Sequence, residues 1–296
     1  MATMKDSLTA LPVPERVSYI TGRMLGVDDF QADQTYHRGR LARALTQLFG
    51  TGTVSGLLVQ SDGNTNVKQL EIQVTPGVAI DRAGRIIEVP RLICIVLDNW
   101  LTQLATAWQN QLLHPIPGQT AIPDPNSAIH DGANLMVDVF ATFVPCTRGL
   151  TPCFAAEDDY DATDAFSANR LLDSFAMQLA LRTDTNPLTP ADPWKTSGSL
   201  PAGGSNITAP TLTTLQDLLL GATAGPASTP VEYPPGFDAT SVFLARILIG
   251  ATKGSTSNQP PTWDLTKISI DNRSRLFLYP PSLLGRLCGL GAGTET

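Results

Sequence analysis

Short stretches of alternating hydrophobic and polar residues recur along the chain, and they predict antiparallel β-strands. Residues 70–74 (LEIQV) alternate strictly and residues 134–145 do so in part, as expected for strands with one buried and one solvated face. Residues 167–182 fit either a helix or a strand, and the alternation within 175–181 favours a strand. Further strands are predicted at 53–60, 92–97 and 241–252, and a hairpin is predicted at 267–280, turning near Asp271 and Asn272.

Residues 76–90 read PGVAIDRAGRIIEVP and predict a regular β-hairpin. Strand-like flanks surround the turn residues DRAG, in which Gly84 is free to take a positive φ. Asp81 and Arg85 are the interior charges of this stretch. We expect them to form an exposed pair worth well under ~1 kcal/mol.

Helical periodicity occurs in two regions. Apolar residues recur at helical spacing between 30 and 49, with an aspartate before them to cap the helix and Gly50 after them at the C′ position. A second apolar stripe runs from Trp100 to Leu112 and predicts a helix near 99–113. Both tryptophans of this stripe, Trp100 and Trp108, are expected in the core.

These patterns divide the chain into four parts and define its fold class. We expect a mainly β protein, an antiparallel sandwich or a partly closed barrel, with an N-terminal helix, one further helix and long loop insertions. Its 24 glycines and 23 prolines favour turns over long helices. The parts are an N-terminal arm and helix (1–50), a β domain with its helix (51–182), a proline- and glycine-rich insertion (183–240) and returning strands with a C-terminal tail (241–296).

The amino-acid composition limits the kinds of molecule that the protein is expected to bind. Charged residues make up 16% of the chain, which is below the usual quarter, so the surface is either rich in neutral polar residues or covered by other subunits. The formal net charge of −7 gives no bulk attraction to nucleic acid or to an anionic membrane. Arg38, Arg40 and Arg43 are accordingly better explained by salt bridges between subunits than by nucleic-acid contacts.

No signal peptide and no apolar run of about 18 residues is visible in the sequence. The expectation is therefore synthesis and assembly in the cytoplasm. Cys94 is expected to be buried in its strand. Cys146 and Cys153 bracket a short loop, and reduced thiols are favoured there over a disulfide.

Candidate chemistry is sparse. The three histidines, His37, His114 and His130, have no partner at the spacing of a zinc site. The acidic stretch 157–164 lacks the central glycine and distal glutamate of a calcium loop, so a solvated loop is the better interpretation. No GxSxG, P-loop or GxGxxG motif is present. We therefore predict no catalytic, cofactor-binding or metal-binding residues, and a protein that is not an enzyme.

Two sequence stretches carry a resemblance to a known group of proteins. Residues 29–60, DFQADQTYHRGRLARALTQLFGTGTVSGLLVQ, and 74–90, VTPGVAIDRAGRIIEVP, resemble structural proteins of phage-tail-like contractile injection systems. The segments FLARILI (243–249) and IDNRSRL (270–276) are similar to the closing strands of such proteins. The positions that carry the resemblance are Asp29, Phe30, Tyr36, Arg38, Gly50, Gly52, Val54, Gly56, Leu57, Pro76, Gly77, Ala79, Asp81 and Gly84.

The resemblance implies a non-catalytic subunit at or near the baseplate, a tail-fibre-like or cage-like attachment component. Its partners would be other subunits of the assembly, including copies of itself, and the particle would be attached to a membrane or cell surface or released by lysis. The alternative is a β-rich module that binds a glycan or surface ligand. Trp194 and Trp263, both expected in loops, are the candidate contact residues for either role.

Overall fold

A computed structural model describes residues 6–10, 15–64, 66, 68–103, 133–152, 166–182, 188–190, 232–234, 236–252 and 262–280. The protein is mainly β with antiparallel sheets, an N-terminal helix and one further helix, which confirms the predicted fold class. The helices are α1 (Val27–Leu48) and α2 (Leu97–Gln103), after a 3-10 turn at Ser7–Ala10; the strands are β1 (Gly52–Gly56), β2 (Val59–Ser61), β3 (Glu71–Val74), β4 (Gly77–Ile80), β5 (Ile86–Val89), β6 (Ile93–Val96), β7 (Ala133–Pro152), β8 (Phe166–Leu181), β9 (Val242–Thr252) and β10 (Thr262–Asp271).

The first six strands form two three-stranded sheets, which continue into each other at a sharp corner. β1 pairs with β4 and β4 with β5, while β2 pairs with β3 and β3 with β6, all antiparallel. The register continues through the break, because the Leu57 N–H donates to the Pro76 carbonyl at 3.3 Å and the Thr75 N–H to the Leu58 carbonyl at 3.0 Å. We call this unit the folded sheet. The predicted single strand at 53–60 is thus two strands that meet at a corner.

Two glycines make the corner of the folded sheet. Gly56 has φ +61°, and a Cβ placed on it would lie 2.0 Å from the Pro76 carbonyl oxygen. Gly77 faces it, and a Cβ there would lie 2.3 Å from the Ser55 carbonyl oxygen. Leu57 follows with φ +55° and is fully buried. The left-handed backbone and the close approach of two chains both require glycine.

A C-terminal segment, 271–278, completes the edge of this corner. The Asn272 side-chain amide donates to the Val59 carbonyl at 2.8 Å and accepts from the Val59 N–H at 2.9 Å. Arg275 donates to the Leu57 carbonyl at 2.7 Å. The chain turns near Asp271, but it then crosses to the folded sheet, where Phe277 forms a parallel bridge with Thr53. The predicted hairpin at 267–280 is therefore wrong: β10 pairs with β9 instead.

The remaining strands form a larger sheet in the order β10-β9-β7-β8. β9 covers β7 only over Ala133–Ala141, whereas β8 pairs with β7 from Val137 to Pro152. Beyond Ala141, β7 and β8 therefore continue as a two-stranded ribbon. Arg148 and Arg170 lie directly opposite each other on it.

A single apolar cluster joins the folded sheet to the larger sheet. It contains residues from both units, among them the fully buried Ile72, Ile87, Leu135 and Leu244. Among the described strands no sheet closes on itself, so the sheets pack as open layers. Trp100 packs against this core as predicted, whereas Trp108 and most of the 99–113 stripe lie outside the described residues.

Helix α1 has well-defined ends. The Asp29 carboxylate accepts a hydrogen bond from the Gly26 N–H at 2.9 Å, which satisfies a donor at the N-terminus. At the other end Gly50 takes φ +83° and its N–H donates to the Thr46 carbonyl at 3.0 Å, an αL cap. The predicted helix and its C′ glycine are confirmed, but the predicted aspartate N-cap is wrong, because Gly26 is the N-cap and Asp28 and Asp29 lie in the first turn. Of the 22 residues in α1, however, only Ala42 is buried.

Substitution of Gly56 by alanine should destabilise the protein by more than about 2 kcal/mol, because it adds left-handed strain and a clash with backbone. Gly63→Ala is the matched control, since Gly63 has φ +77° with nothing within 4 Å of the added Cβ, and about 1 kcal/mol is expected. Urea unfolding of both variants measures the difference. Equal losses would contradict the close approach at the corner.

Candidate functional site

The turn of the β4–β5 hairpin is buried rather than exposed. The Asp81 carboxylate accepts from the Ala83 N–H at 2.9 Å, from the Arg85 N–H at 2.8 Å and from Arg85 Nε at 2.7 Å. Asp81 is 0% and Arg85 6% exposed, so the expectation of an exposed pair was wrong. Burial raises the pKa of Asp81 above its ordinary value, against the opposing effect of Arg85.

Arg85 connects this turn to three other parts of the chain. Its Nη2 donates to Thr240 Oγ1 at 2.7 Å, ahead of β9, and its guanidinium lies 4.7 Å from the centroid of the Phe143 ring on β7. Its Nη1 lies 3.4 Å from the Asp6 carboxylate in the N-terminal turn. Asp6 in turn pairs with Arg38 of α1 at 3.2 Å. One guanidinium thus ties the arm and, through Asp6, the helix to both sheets.

Gly84 provides the second attachment of α1. A Cβ on Gly84 would lie 2.3 Å from the Ala42 carbonyl oxygen, and Gly84 has φ +79°. Ala42 is the one buried residue of the helix. Two small residues therefore let the helix backbone rest directly on the hairpin turn, which explains why the turn needs glycine there.

A second group of charges lies within the larger sheet. Asp138 of β7 is fully buried. Its carboxylate accepts two hydrogen bonds from Arg246 of β9, at 2.7 and 2.9 Å, in a bidentate pair. It also accepts one from Arg182 at 3.1 Å. Arg246 also donates to the Leu188 carbonyl at 3.1 Å, and Arg182 to the Glu232 carbonyl. These bonds tie the described parts of the 183–240 insertion to the sheet.

Glu232 links the two groups of charges. Its carboxylate pairs with Arg82 in the hairpin turn. Burial is the largest single effect on the pKa of Arg82 and lowers it, but Glu232 and Tyr233 together raise this pKa above its ordinary value. We call the whole set the buried junction; its members are Asp6, Arg38, Asp81, Arg82, Arg85, Asp138, Arg182, Glu232, Thr240 and Arg246.

Tyr233 lies beside the buried junction. Its hydroxyl donates to the Ser241 carbonyl, and its ring stacks on Phe140 at 5.3 Å. Burial raises the pKa of Tyr233 to about 12. The adjoining cavity, between Arg82, Glu232 and Tyr233, measures about 20 Å³, room for one water molecule.

The geometry of the buried junction suits a structural role, in which ion pairs hold separate elements of the chain together. Each of its four carboxylates has an arginine nitrogen within 3.4 Å, so every buried negative charge is compensated. Within the described parts of the chain no group of three or more His, Cys, Asp or Glu side chains could hold a metal ion. What the arrangement can do is hold the arm, α1, the hairpin and the larger sheet in one orientation.

The residues that carry the resemblance fall into three places. Arg38, Asp81 and Gly84 meet at the buried junction, whereas Gly52, Gly56, Pro76 and Gly77 lie along the β1–β4 pair or its corner. Gly52, with φ +143°, admits the Leu276 backbone, because a Cβ on it would lie 2.5 Å from the Leu276 carbonyl oxygen. Asp29, Phe30, Tyr36 and Gly50 belong to α1 and its ends; Phe30 is exposed, and half-buried Tyr36 packs edge-on against His37.

Two predicted placements are wrong. Trp263 lies in β10, half-buried and packed against the core, rather than in an exposed loop. Cys94 is exposed, because neighbouring residues of the edge strand β6 face opposite ways and Cys94 lies on the solvated side. Trp194, Cys153, His114, His130 and the acidic stretch 157–164 lie outside the described residues, so their predicted roles stay predictions.

Sequence reasoning missed most of the buried junction. Asp138 and Arg246 each interrupt an apolar strand, in LMVDVF and FLARIL, and a charge within a buried strand is a signal for a buried partner. That signal could have been used. Asp6, Arg182 and Glu232 stand in irregular or ambiguous segments, where no periodicity marks them.

Comparison with known proteins adds no relative. No protein-family model matches the chain, and no curated protein matches it. Among the helices in the described ranges, none has the length and apolar character needed to cross a membrane.

Replacement of Asp138 by asparagine should cost about 3–5 kcal/mol of unfolding free energy, because it leaves two arginines in the interior without their carboxylate. Asp173→Asn is the matched control on the same sheet, at an exposed position of β8, and little change is expected. Thermal and urea unfolding compare the two. A small loss in both variants would mean that the pairs contribute no more than surface contacts do.

Ionisation of Tyr233 should lower the free energy of unfolding at alkaline pH. The pKa of Tyr233 is raised to about 12 in the folded state. The neutral phenol therefore contributes fully to the free energy of unfolding below pH ~10. This contribution is lost as the pH rises towards ~12, at about 1.4 kcal/mol per pH unit. Tyr233→Phe should be less stable than wild type at pH 9 by about 1 kcal/mol, through the lost hydrogen bond. At pH 11 this difference should vanish. A constant difference in urea unfolding at both pH values would contradict the buried phenol.

Proposed function

We propose that this protein is a non-catalytic structural subunit of a phage-tail-like contractile injection system, at or near the baseplate. It joins neighbouring subunits and attaches the particle to a membrane or cell surface. The resemblance of residues 28–90 to such proteins supports this role, as does the low share of charged residues, 16%. The buried junction supplies the rigid body that a force-bearing part needs.

The exposed arm before α1 is the observation that carries the proposal. Within residues 15–27 large apolar side chains face solvent: Tyr19 is 58%, Ile20 67% and Met24 93% exposed. A contiguous run of this kind marks a surface that another molecule covers. Residues 15–27 run directly into α1, and Arg23 pairs with Asp29 of that helix at 3.2 Å, so they are presented from a helix that the buried junction holds.

The β7–β8 ribbon is a second extension suited to contacts between subunits. It leaves the larger sheet beyond Ala141 and carries exposed Leu171 and Leu172 beside Arg148 and Arg170. Like charges directly opposite each other destabilise an isolated ribbon. An acidic surface on a neighbouring subunit would relieve this repulsion, so the ribbon fits a partner within an assembly.

The alternative role, recognition of a glycan or surface ligand, has less support. It required Trp194 and Trp263 as exposed stacking platforms, and Trp263 packs against the core. Assembly in the cytoplasm, followed by membrane attachment or release by lysis, remains part of the proposal.

The first test is sedimentation of a native lysate of the producing cells, with immunodetection of this protein across the gradient. The proposal expects wild-type protein to co-sediment with a megadalton, tail-like particle. The double variant Ile20→Ser/Met24→Ser should move to the slow fractions, because it removes apolar contact from the arm without touching Asp6.

Leu92→Ser is the matched control, an exposed apolar residue outside the arm, and it should stay with the particle. Wild-type protein found only as a small species would overturn the proposal. Retention of the double variant in the particle would show that the arm is not the interface.

A further inference from the structure

Helix α1 carries an apolar stripe that faces away from the rest of the protein. Its exposed large residues are Val27 (71%), Phe30 (54%), Leu41 (57%) and Leu48 (75%). Together with exposed Gln34, His37 and Ala44, they follow one another at alternating spacings of three and four residues. This is the a/d repeat of a helix that packs against another helix. We call it the outer seam: Val27, Phe30, Gln34, His37, Leu41, Ala44 and Leu48.

Among the residues that the structure describes, none covers the outer seam, whose members are all exposed. α1 contacts the hairpin through Ala42, which lies about a third of a turn from the middle of the outer seam at 100° per residue. Arg38, which pairs with Asp6, lies towards the same inner side. The helix therefore has one face seated on the hairpin and another apolar face in solvent.

Charge along α1 is segregated, and this indicates the occupant of the seam. Asp28, Asp29 and Asp33 lie in its first half, while Arg38, Arg40 and Arg43 lie in its second half. A helix with this pattern complements a second copy of itself that runs in the opposite direction, because each acidic half then faces a basic half.

We propose that two copies of this chain associate through their α1 helices, packed antiparallel along the outer seam. Alignment of seam positions in this direction pairs Val27 with the second copy's Ala44 and Phe30 with its Leu41. Gln34 then meets the second copy's His37. The polar layer falls opposite a polar layer and the apolar layers opposite apolar ones, which fixes the register.

Flanking charges support the same register. Asp33, which lies 3.7 Å from exposed His37 of its own helix, and Arg40 border the seam on one side, and the alignment brings Asp33 of each copy opposite Arg40 of the other. Arg40 is exposed, and no ion pair joins it to any described residue. Both pairs form at once because a two-fold interface repeats every contact.

Parallel packing fits less well. It would set Gln34 against Gln34 and His37 against His37, and it would offer Asp33 the second copy's Arg38, which is already bonded to Asp6. Arg40 would then face Leu45 instead of a carboxylate. Parallel helices also align their macrodipoles unfavourably. The antiparallel pair satisfies more groups with the same residues.

This inference concerns the purified chain and does not rest on the proposed place in an injection system. Sedimentation equilibrium of the full chain from about 1 to 100 µM measures it. We expect reversible association to twice the monomer mass. Ala44→Asp should raise the dissociation constant at least tenfold, because it buries a carboxylate opposite Val27.

Ala32→Asp is the matched control: the same change at an exposed helical position outside the seam, where the dissociation constant should stay within about twofold of wild type. Circular dichroism of both variants verifies that α1 is intact. A monomeric wild-type chain over the whole range would overturn the proposal, as would equal effects of the two substitutions.

Charge reversal tests the direction of packing. Asp33→Arg and Arg40→Asp should each weaken association at least tenfold, since each puts like charges opposite one another. The double variant should recover most of the wild-type affinity, because the reversed charges pair again. Failure of the double variant to recover would overturn the antiparallel arrangement, even if Ala44→Asp still weakens the dimer.

Discussion

The fold depends on one buried guanidinium, that of Arg85. Its neighbours belong to four parts of the chain: Asp81 in the same turn, Asp6 in the arm, Thr240 ahead of β9 and Phe143 on β7. An arginine presents five donors in a fixed plane and can serve several acceptors in set directions, whereas a lysine has three donors on one rotating ammonium group. The hairpin therefore holds the helix and arm on one side and the larger sheet on the other. This hairpin is thus the element through which the helix, the arm and the larger sheet are connected.

Buried ion pairs of this kind contribute little net stability, but they heavily penalise any arrangement that leaves one partner alone. In this protein they connect the N-terminal turn and α1, which lie outside the main apolar cluster, and they add to the aromatic packing of Tyr233 and Phe237 that holds part of the insertion. Hydrophobic packing holds the two sheets together, and charge pairing sets the angle at which the exposed helix and arm leave them. A subunit that must present a contact surface in a fixed direction benefits from this division.

Regular periodicity made much of the fold predictable. The alternation in 70–74, the helix ending at Gly50 and the hairpin at 76–90 are local patterns, and local chemistry decides them. Asp81 was misjudged because its burial depends on Asp6, Thr240 and Phe143, which are distant in sequence. Cys94 was misjudged because one residue's shift in strand position exchanges the solvated and buried faces. Trp263 was misjudged because β10 begins at Thr262, before the stretch whose pattern predicted a strand. The outer seam escaped notice because two of its positions are polar and it spans only one helix.

The attachment of residues 271–278 to the corner of the folded sheet has a consequence for synthesis. The N–H and carbonyl groups of Val59 are satisfied by Asn272, a partner 213 positions later in the chain. While the ribosome is still making the middle of the protein, this sheet edge stays open, and open edges are where nascent chains associate wrongly. The edge of the folded sheet is therefore closed only after residues 271–278 have been made. A chain released early would lack its edge cover and would be the form that proteases and chaperones can recognise.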